Sequence, residues 1–575
     1  MANGEPIAVN DLDVESIFAE KALRLGQRDI GLVLQSVSLC EQGKLDQALT
    51  AALEGMLEFA KTRPEEKIEN DSRGGHLLDS AVGSIFRVYE LTGGATAIDT
   101  VETELLDEIR QEMVGNHFVQ EYLLVKLFHG IKVFDIRDQG INLTCFRDIL
   151  DLFIAAPRPI DPKVNAEIVA TVGKIARDVT AIPYPENYVV NARWRAISDQ
   201  SLMVASKLDN AYHIVLYGMY FAQFGMQPLL LQGKNSLRNM VEKGPTSRLL
   251  NDYPNLEESA YAFPGSMAVH DGRNYTADFL TKLSYYDQIV SPIGSEDAVK
   301  TVLEIGSGYG TVARTFKLID PERRYILVDL PESLAFSYAY LKLNFPDKKF
   351  RFITEPCATS DRFEQGIEFI FCPVQLFDQV EWSGIDLVIN MWSFGEMPQG
   401  CVDYFLKVIN RMDCRYLYSL NLMFQDKNLL CETSGDTNEG NQIVNDVNST
   451  WRPRHLSLAS SVGIRDDITN AEIYRNFAHL LVERTDPDAD ASKGAAEAEA
   501  AAERFEFASW DWVTWMYFAA LWSDNPATIE RFLDGLEQFL STTKGGQHKS
   551  FVFENIGEVQ HLRNRLADLA QAGNA

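Results

Sequence analysis

Residues 301–331 (TVLEIGSGYGTVARTFKLIDPERRYILVDLP) put a glycine at every second position of one short turn. Residues 301–305 form a short apolar run that reads as a buried strand, and residues 311–318 read as a helix. Between them stands Gly306-Ser307-Gly308-Tyr309-Gly310. Glycine at alternate positions allows a sharp backbone turn and close approach of a ligand to the main chain. The start of the helix presents N–H groups that have no partner within it. A second strand, 325–328, then delivers Asp329 to its carboxyl end. There a carboxylate can accept both hydroxyls of a ribose.

The glycine spacing bears on the cofactor. A dinucleotide turn is written G-x-G-x-x-G. Here the third glycine comes one position early, as Glu304-x-Gly306-x-Gly308-x-Gly310. This pattern resembles motif I of the class I S-adenosylmethionine-dependent methyltransferases. The resemblance implies that Glu304, Gly306, Ser307, Gly308, Gly310, Asp329 and Leu330 bind S-adenosyl-L-methionine.

The strands that follow extend the pattern. Residues 333–345 read as a helix, 349–353 as an edge strand, and 367–374 as a strand covered on both faces. Val374 and Gln375, at the carboxyl end of that strand, are placed near an adenine ring. Residues 386–390 form another buried strand ending in Asn390, a further cofactor candidate, and 415–422 the next. Residues 462–467 and 471–483 are expected to close the sheet as an antiparallel pair. Strands alternating with helices predict an α/β fold with a doubly wound sheet, which the resemblance implies is a Rossmann-like methyltransferase sheet, joined to a large all-α N-terminal domain and a helical C-terminal segment.

Two further signatures stand at the strand ends: Asp329-Leu330-Pro331-Glu332, and Asn390-x-x-Ser393-x-x-Glu396-Met397. Together with LEIGSGYG they resemble the sugar O-methyltransferase family over residues 260–425. That resemblance implies transfer of a methyl group to a saccharide hydroxyl. A neutral hydroxyl is a poor nucleophile, so a base is expected. Glu396 is the first candidate for it, with His270 and His455 as alternatives that carry no motif. A divalent metal would also serve, but no tight Asp/Glu/His cluster commits the chain to one. Tyr285, Tyr286 and Arg273, just before the first strand, are candidates for contacts to the cofactor. The rival readings are a non-catalytic scaffold that keeps the methyltransferase fold and an NAD-dependent oxidoreductase.

A length of 575 residues leaves room for about three domains. They divide as a helical domain over 1–240, the methyltransferase domain over 241–484, an Ala/Glu-rich linker over 485–504 and a helical segment over 505–575. A formal charge of −29 argues against nucleic acid and anionic membrane surfaces as partners. The expected partner is a small-molecule or glycan acceptor, and the helical N-terminal domain is the candidate for homo-oligomer formation. Seven scattered cysteines without a C-x-x-C pair suit a reducing compartment, and the N-terminus lacks a secretory pattern, so the expected location is cytoplasmic. Tyr188, Asn191 and Trp194, and the tryptophans at 510, 512, 515 and 522, offer either sugar contacts or packing, and packing is the expectation for both groups.

Overall fold

A computed structural model describes residues 14–62, 72–92, 97–115, 147–148, 150–152, 154, 158–186, 188, 201–222, 241–242, 246–262, 268–295, 298–358, 366–394, 397–422, 451–458, 477–484, 491–541 and 557–573. They fall into two compact units, one drawn from residues up to 173, 200–234 and 258–276, the other from 174–199, 235–257 and 277–575. The chain thus passes between the units several times, where composition suggests one boundary near residue 240. Apolar helical periodicity reports that a segment is amphipathic, not which core it joins.

The first unit is mainly helical, with α1 (Val14–Arg24), α2 (Arg28–Glu41), α3 (Leu45–Thr62), α4 (Ser72–Leu91), α5 (Thr103–Gly115), α6 (Pro162–Lys174) and α7 (Ala211–Ala222). α2 and α3 pack closely because Gly55 carries no Cβ, which would lie 2.7 Å from Val33 Cγ2. This unit also holds a two-stranded hairpin, β1 (Ala268–His270) and β2 (Arg273–Tyr275). Asp271 (φ 50°) and Gly272 (φ 75°) close it, both in the left-handed region that a two-residue hairpin turn favours.

The second unit is built on an eight-stranded sheet of order β5-β6-β4-β3-β7-β8-β10-β9. Its strands are β3 (Thr301–Ile305), β4 (Arg324–Asp329), β5 (Phe350–Phe352), β6 (Phe369–Pro373), β7 (Ile385–Met391), β8 (Cys414–Leu422), β9 (Trp451–Leu458) and β10 (Phe477–Arg484). β10 runs antiparallel to both of its neighbours, and the other pairings are parallel. Every residue of β3 and β6 is buried, which is why both read as mostly apolar runs rather than alternating ones, with Glu304 the one charged residue among them. Helix α8 (Ala277–Ile293) precedes β3. α9 (Thr311–Ile319), α10 (Pro331–Asn344) and α11 (Gln399–Arg411) are crossovers between parallel strands. The partner of β10 is residues 451–458, not the expected 462–467, which lie outside the described residues. Pro453 within β9 masks its strand character in the sequence.

Strand order runs outward from the centre in two directions, through β4 from β3 and through β8 from β7. Between β3 and β7 lies the topological switch point, where open α/β sheets bind ligands beyond the carboxyl ends of their strands.

The C-terminal segment packs into the core of this same unit. Residues 491–502, within the stretch expected to be a linker, form helix α12 (Ala491–Ala502), with Ala498, Ala501 and Ala502 buried. α13 (Trp510–Trp522), α14 (Pro526–Ser541) and α15 (Gly557–Gly573) follow. Trp512 is 1% exposed, and its ring occupies the space above Gly535 of α14. Tyr188 stacks on Tyr184 at 5.7 Å and meets Tyr404 edge-on at 5.5 Å. Both residues therefore serve packing; Asn191 and Trp194 lie outside the described residues. No described helix is long and apolar enough to cross a membrane.

Gly535 yields a prediction with an unusual sign. Replacing a helical glycine by alanine normally stabilises by about 1 kcal/mol, but a Cβ at Gly535 would lie 2.1 Å from Trp512 Cζ3. Gly535→Ala is expected to lower stability by about 1–3 kcal/mol through overpacking. Gly83→Ala on α4, where nothing lies within 4 Å, is expected to raise it. Denaturant midpoints of the two variants against wild type check both signs.

Candidate active site

The glycine turn sits at the switch point with all three glycines at positive φ: Gly306 at 76°, Gly308 at 54° and Gly310 at 90°. Their demands differ. A Cβ on Gly306 would lie 2.2 Å from Ser393 Oγ, so the close approach at this position is made by the protein's own loop after β7. A Cβ on Gly310 would lie 3.2 Å from Ser337 Cβ and 3.3 Å from Leu341 of α10. That glycine lets α9, which it caps, pack on α10.

Gly308 turns its N–H to Asp329. Asp329 Oδ2 accepts from Gly308 N at 2.8 Å and Oδ1 accepts from Leu330 N at 2.7 Å. Burial pushes this carboxyl up to about 6; the two backbone N–H groups and the hydroxyls of Ser333 and Ser307 hold it down against that rise. Asp329 thus faces the turn.

Glu304 lies beneath the turn, 2% exposed, and accepts a hydrogen bond from the Tyr325 hydroxyl at 2.8 Å. Burial pushes its carboxyl up to about 8, so it is mostly protonated at neutral pH. Leu330 caps α10 through its backbone. Val374 and Gln375 follow β6, whose Pro373 pairs with Asp329. Gln375 is 0% exposed, and neither of its side-chain amide atoms has a hydrogen-bond partner. Asn390 is saturated: it donates to Ile305 O at 3.0 Å and Ser393 Oγ at 2.6 Å, and accepts from Phe394 N at 3.3 Å and Asn421 Nδ2 at 2.9 Å. It braces the edges of β3, β7 and β8.

Glu396 lies outside the described residues; its loop is bounded by buried Phe394 and partly buried Met397, joined by a 3.3 Å backbone hydrogen bond. His270 belongs to the helical unit, with Nε2 3.5 Å from Asp271 Oδ2. Arg273 of the same hairpin lies over the Tyr275 ring. His455 on β9 pairs its Nε2 with Gln288 Oε1 at 2.9 Å, and burial lowers its pKa. Tyr286 is buried edge-on against Phe316 at 4.8 Å, a packing residue.

The structure adds a set not singled out in the sequence. Lys282 and Asp278 of α8 pair at 3.1 Å, and Tyr309 of the glycine turn donates to Asp278 at 2.9 Å. The Lys282 ammonium also lies 5.4 Å from the Tyr285 ring, and the Tyr285 hydroxyl is hydrogen-bonded by the Trp392 side chain. α8 is thereby tied to both loops of the switch point. The signal was an Asp and a Lys four residues apart on a helix already legible.

No family model matches the chain and no curated protein matches it. Among solved structures, mitomycin 7-O-methyltransferase MmcR is similar at 12% identity over 65% of this chain and 98% of its own, with a TM-score of 0.25. CurJ carbon methyltransferase is similar at 11% identity over 72% and 98%, with a TM-score of 0.24. LepI, in a complex with SAM, is similar at 12% identity over 62% and 97%, with a TM-score of 0.23.

Asp329 makes the pH dependence of the unliganded protein specific. Its carboxyl rises from 3.8 to about 6 on folding, so between those values the folded state binds more protons than the unfolded one. Stability therefore falls as pH rises through that window. The contribution reaches up to about 3 kcal/mol, less to the extent that water screens the partly open carboxylate. Denaturant titrations from pH 4 to 7 should show wild type losing stability relative to Asp329→Ala; parallel profiles would mean an unshifted carboxyl.

Proposed function

We propose that the chain is an S-adenosylmethionine-dependent O-methyltransferase acting on a hydroxyl of a sugar or glycosylated small molecule. The observation that carries this reading is the Asp329 carboxylate, anchored by Gly308 N–H and Leu330 N–H at the switch point. Two backbone donors fix its plane. A carboxylate held in this way keeps lone pairs with which it could accept the hydroxyls of a ribose.

When bound, S-adenosylmethionine supplies an electrophilic methyl group on a sulfonium. The chain has to orient that ligand, exclude water and take a proton. Asp329 and the glycine turn orient it. Asn390 and Ser393 hold the loop after β7 against Ile305 at the turn. Glu396, on that loop, is the proposed base, and a well-placed base contributes about 10²- to 10⁴-fold in rate. The sugar acceptor rests on the residues that resemble the sugar O-methyltransferase family, Asp329-Leu330-Pro331-Glu332 and Asn390-x-x-Ser393-x-x-Glu396-Met397.

S-adenosylhomocysteine is expected to raise the melting temperature, and NAD to leave it unchanged. A response to NAD alone would mean an oxidoreductase, and a response to neither a scaffold. By calorimetry, Asp329→Ala should weaken S-adenosylmethionine binding by about tenfold or more, and unchanged affinity would remove Asp329 from the site. Glu396→Gln should lower turnover by about 10²-fold or more with cofactor affinity retained; equal turnover would leave Glu396 a structural residue.

A further inference from the structure

Trp392 follows directly on β7, at the edge where strand order reverses. Its φ is 68°, a left-handed conformation that bulky residues avoid and that glycine adopts freely. Such a backbone persists only where its surroundings over-determine it. Here Trp392 N–H donates to Leu420 O at 2.7 Å and Ser393 N–H to Met391 O at 2.8 Å. Asn390 and Ser393 then tie the loop to Ile305 O at 3.0 and 3.5 Å.

The side chain is positioned as well. The indole N–H is engaged with the Tyr285 hydroxyl, and the Tyr285 ring has the Lys282 ammonium at 5.4 Å and the His479 ring at 5.7 Å. Trp392 is only partly buried. With its single polar atom in use, what it offers a ligand is aromatic surface. One helical turn along α8 from Tyr285, Gln288 and His455 form a polar pair. A molecule with a C–H face and a hydroxylated edge matches an aromatic plane bordered by such groups, and a pyranose ring has both.

We infer that Trp392 is the platform on which the acceptor's pyranose ring stacks, a positioning role that rests on the methyl-transfer reading above. The strained turn holds the ring at the switch point, and Tyr285 fixes its rotation. Glycine at 392 would relieve the left-handed backbone, remove the indole's hydrogen bond to Tyr285 and abolish the platform.

The test uses the full chain with S-adenosylhomocysteine, and phenyl β-D-glucopyranoside as probe, followed by saturation-transfer NMR. Wild type should saturate the sugar-ring protons, and Trp392→Phe should keep most of that signal. Trp392→Gly should lose about tenfold or more in glucoside affinity. Its melting-temperature shift with S-adenosylhomocysteine should be unchanged, which reports that the variant is folded. Equal glucoside binding by Trp392→Gly would overturn the platform. So would a wild type that responds to S-adenosylhomocysteine and ignores the glucoside, an outcome that leaves the cofactor reading intact. A wild type that ignores S-adenosylhomocysteine removes the cofactor reading, and the platform with it.

Discussion

The hydrogen bond from Gly308 N–H to Asp329 Oδ2 joins two loops that end adjacent parallel strands, and the site is arranged about it. A turn with three glycines at positive φ loses more conformational entropy on folding than an ordinary loop. It holds one shape only if its backbone groups find fixed partners. Asp329 supplies one, Val328 O accepts from Gly306 N at 2.8 Å, and Ser307 O accepts from Gly310 N at 3.0 Å. The carboxylate is oriented in return by Gly308 and Leu330, so a ligand would meet a group whose rotamer is already set.

The turn's second dependence is steric. Ser393 occupies the volume a side chain on Gly306 would need, and α10 occupies the volume beside Gly310. A glycine pattern is ordinarily taken as room left for a ligand, yet at two of the three positions the protein itself takes the room. Internal packing and ligand approach ask for the same residue, and a sequence cannot separate them. What the packing achieves is to lock the loop after β7 to the loop after β3, so that groups on either side of the switch point keep a fixed spacing.

Most of the central sheet was legible because parallel strands buried along most of their length write themselves as short, mostly apolar runs between crossover helices, as β3, β6 and β7 do. β9 was not, because proline and several polar residues break its run. The joining of residues 491–502 to the core was hidden for another reason. An Ala/Glu-rich stretch resembles a solvated linker until the partner of its alanine face is known, and that partner is α13 with its tryptophans. At the site, Asp329 and the glycines were legible from spacing. Trp392 was not, since a left-handed tryptophan is imposed by tertiary contacts and nothing local in the sequence announces it. Asn390 was legible as a residue at the right strand end, but its hydrogen bonds go to the protein rather than outward.

Charge bears on which ligand the proposed site would suit. Asp278 and Lys282 neutralise one another, and Glu304, held neutral by burial, adds no second negative charge beneath the turn. Asp329 is then the anionic group that faces the glycines. Its oxygen already occupies the N–H of the middle glycine, a donor that a phosphate at a helix N-terminus would otherwise use. A phosphate brought to about 4 Å from that carboxylate would be repelled by about 4 kcal/mol at an effective dielectric constant of 20. An adenosyl ligand with a sulfonium meets no such repulsion and brings a positive charge to a site whose net charge is negative. On the proposed reading the Asp329 carboxylate therefore suits a sulfonium-bearing adenosyl ligand, whereas the bar to a dinucleotide lies in the early third glycine, because a dinucleotide's ribose also uses an acidic residue at this strand end.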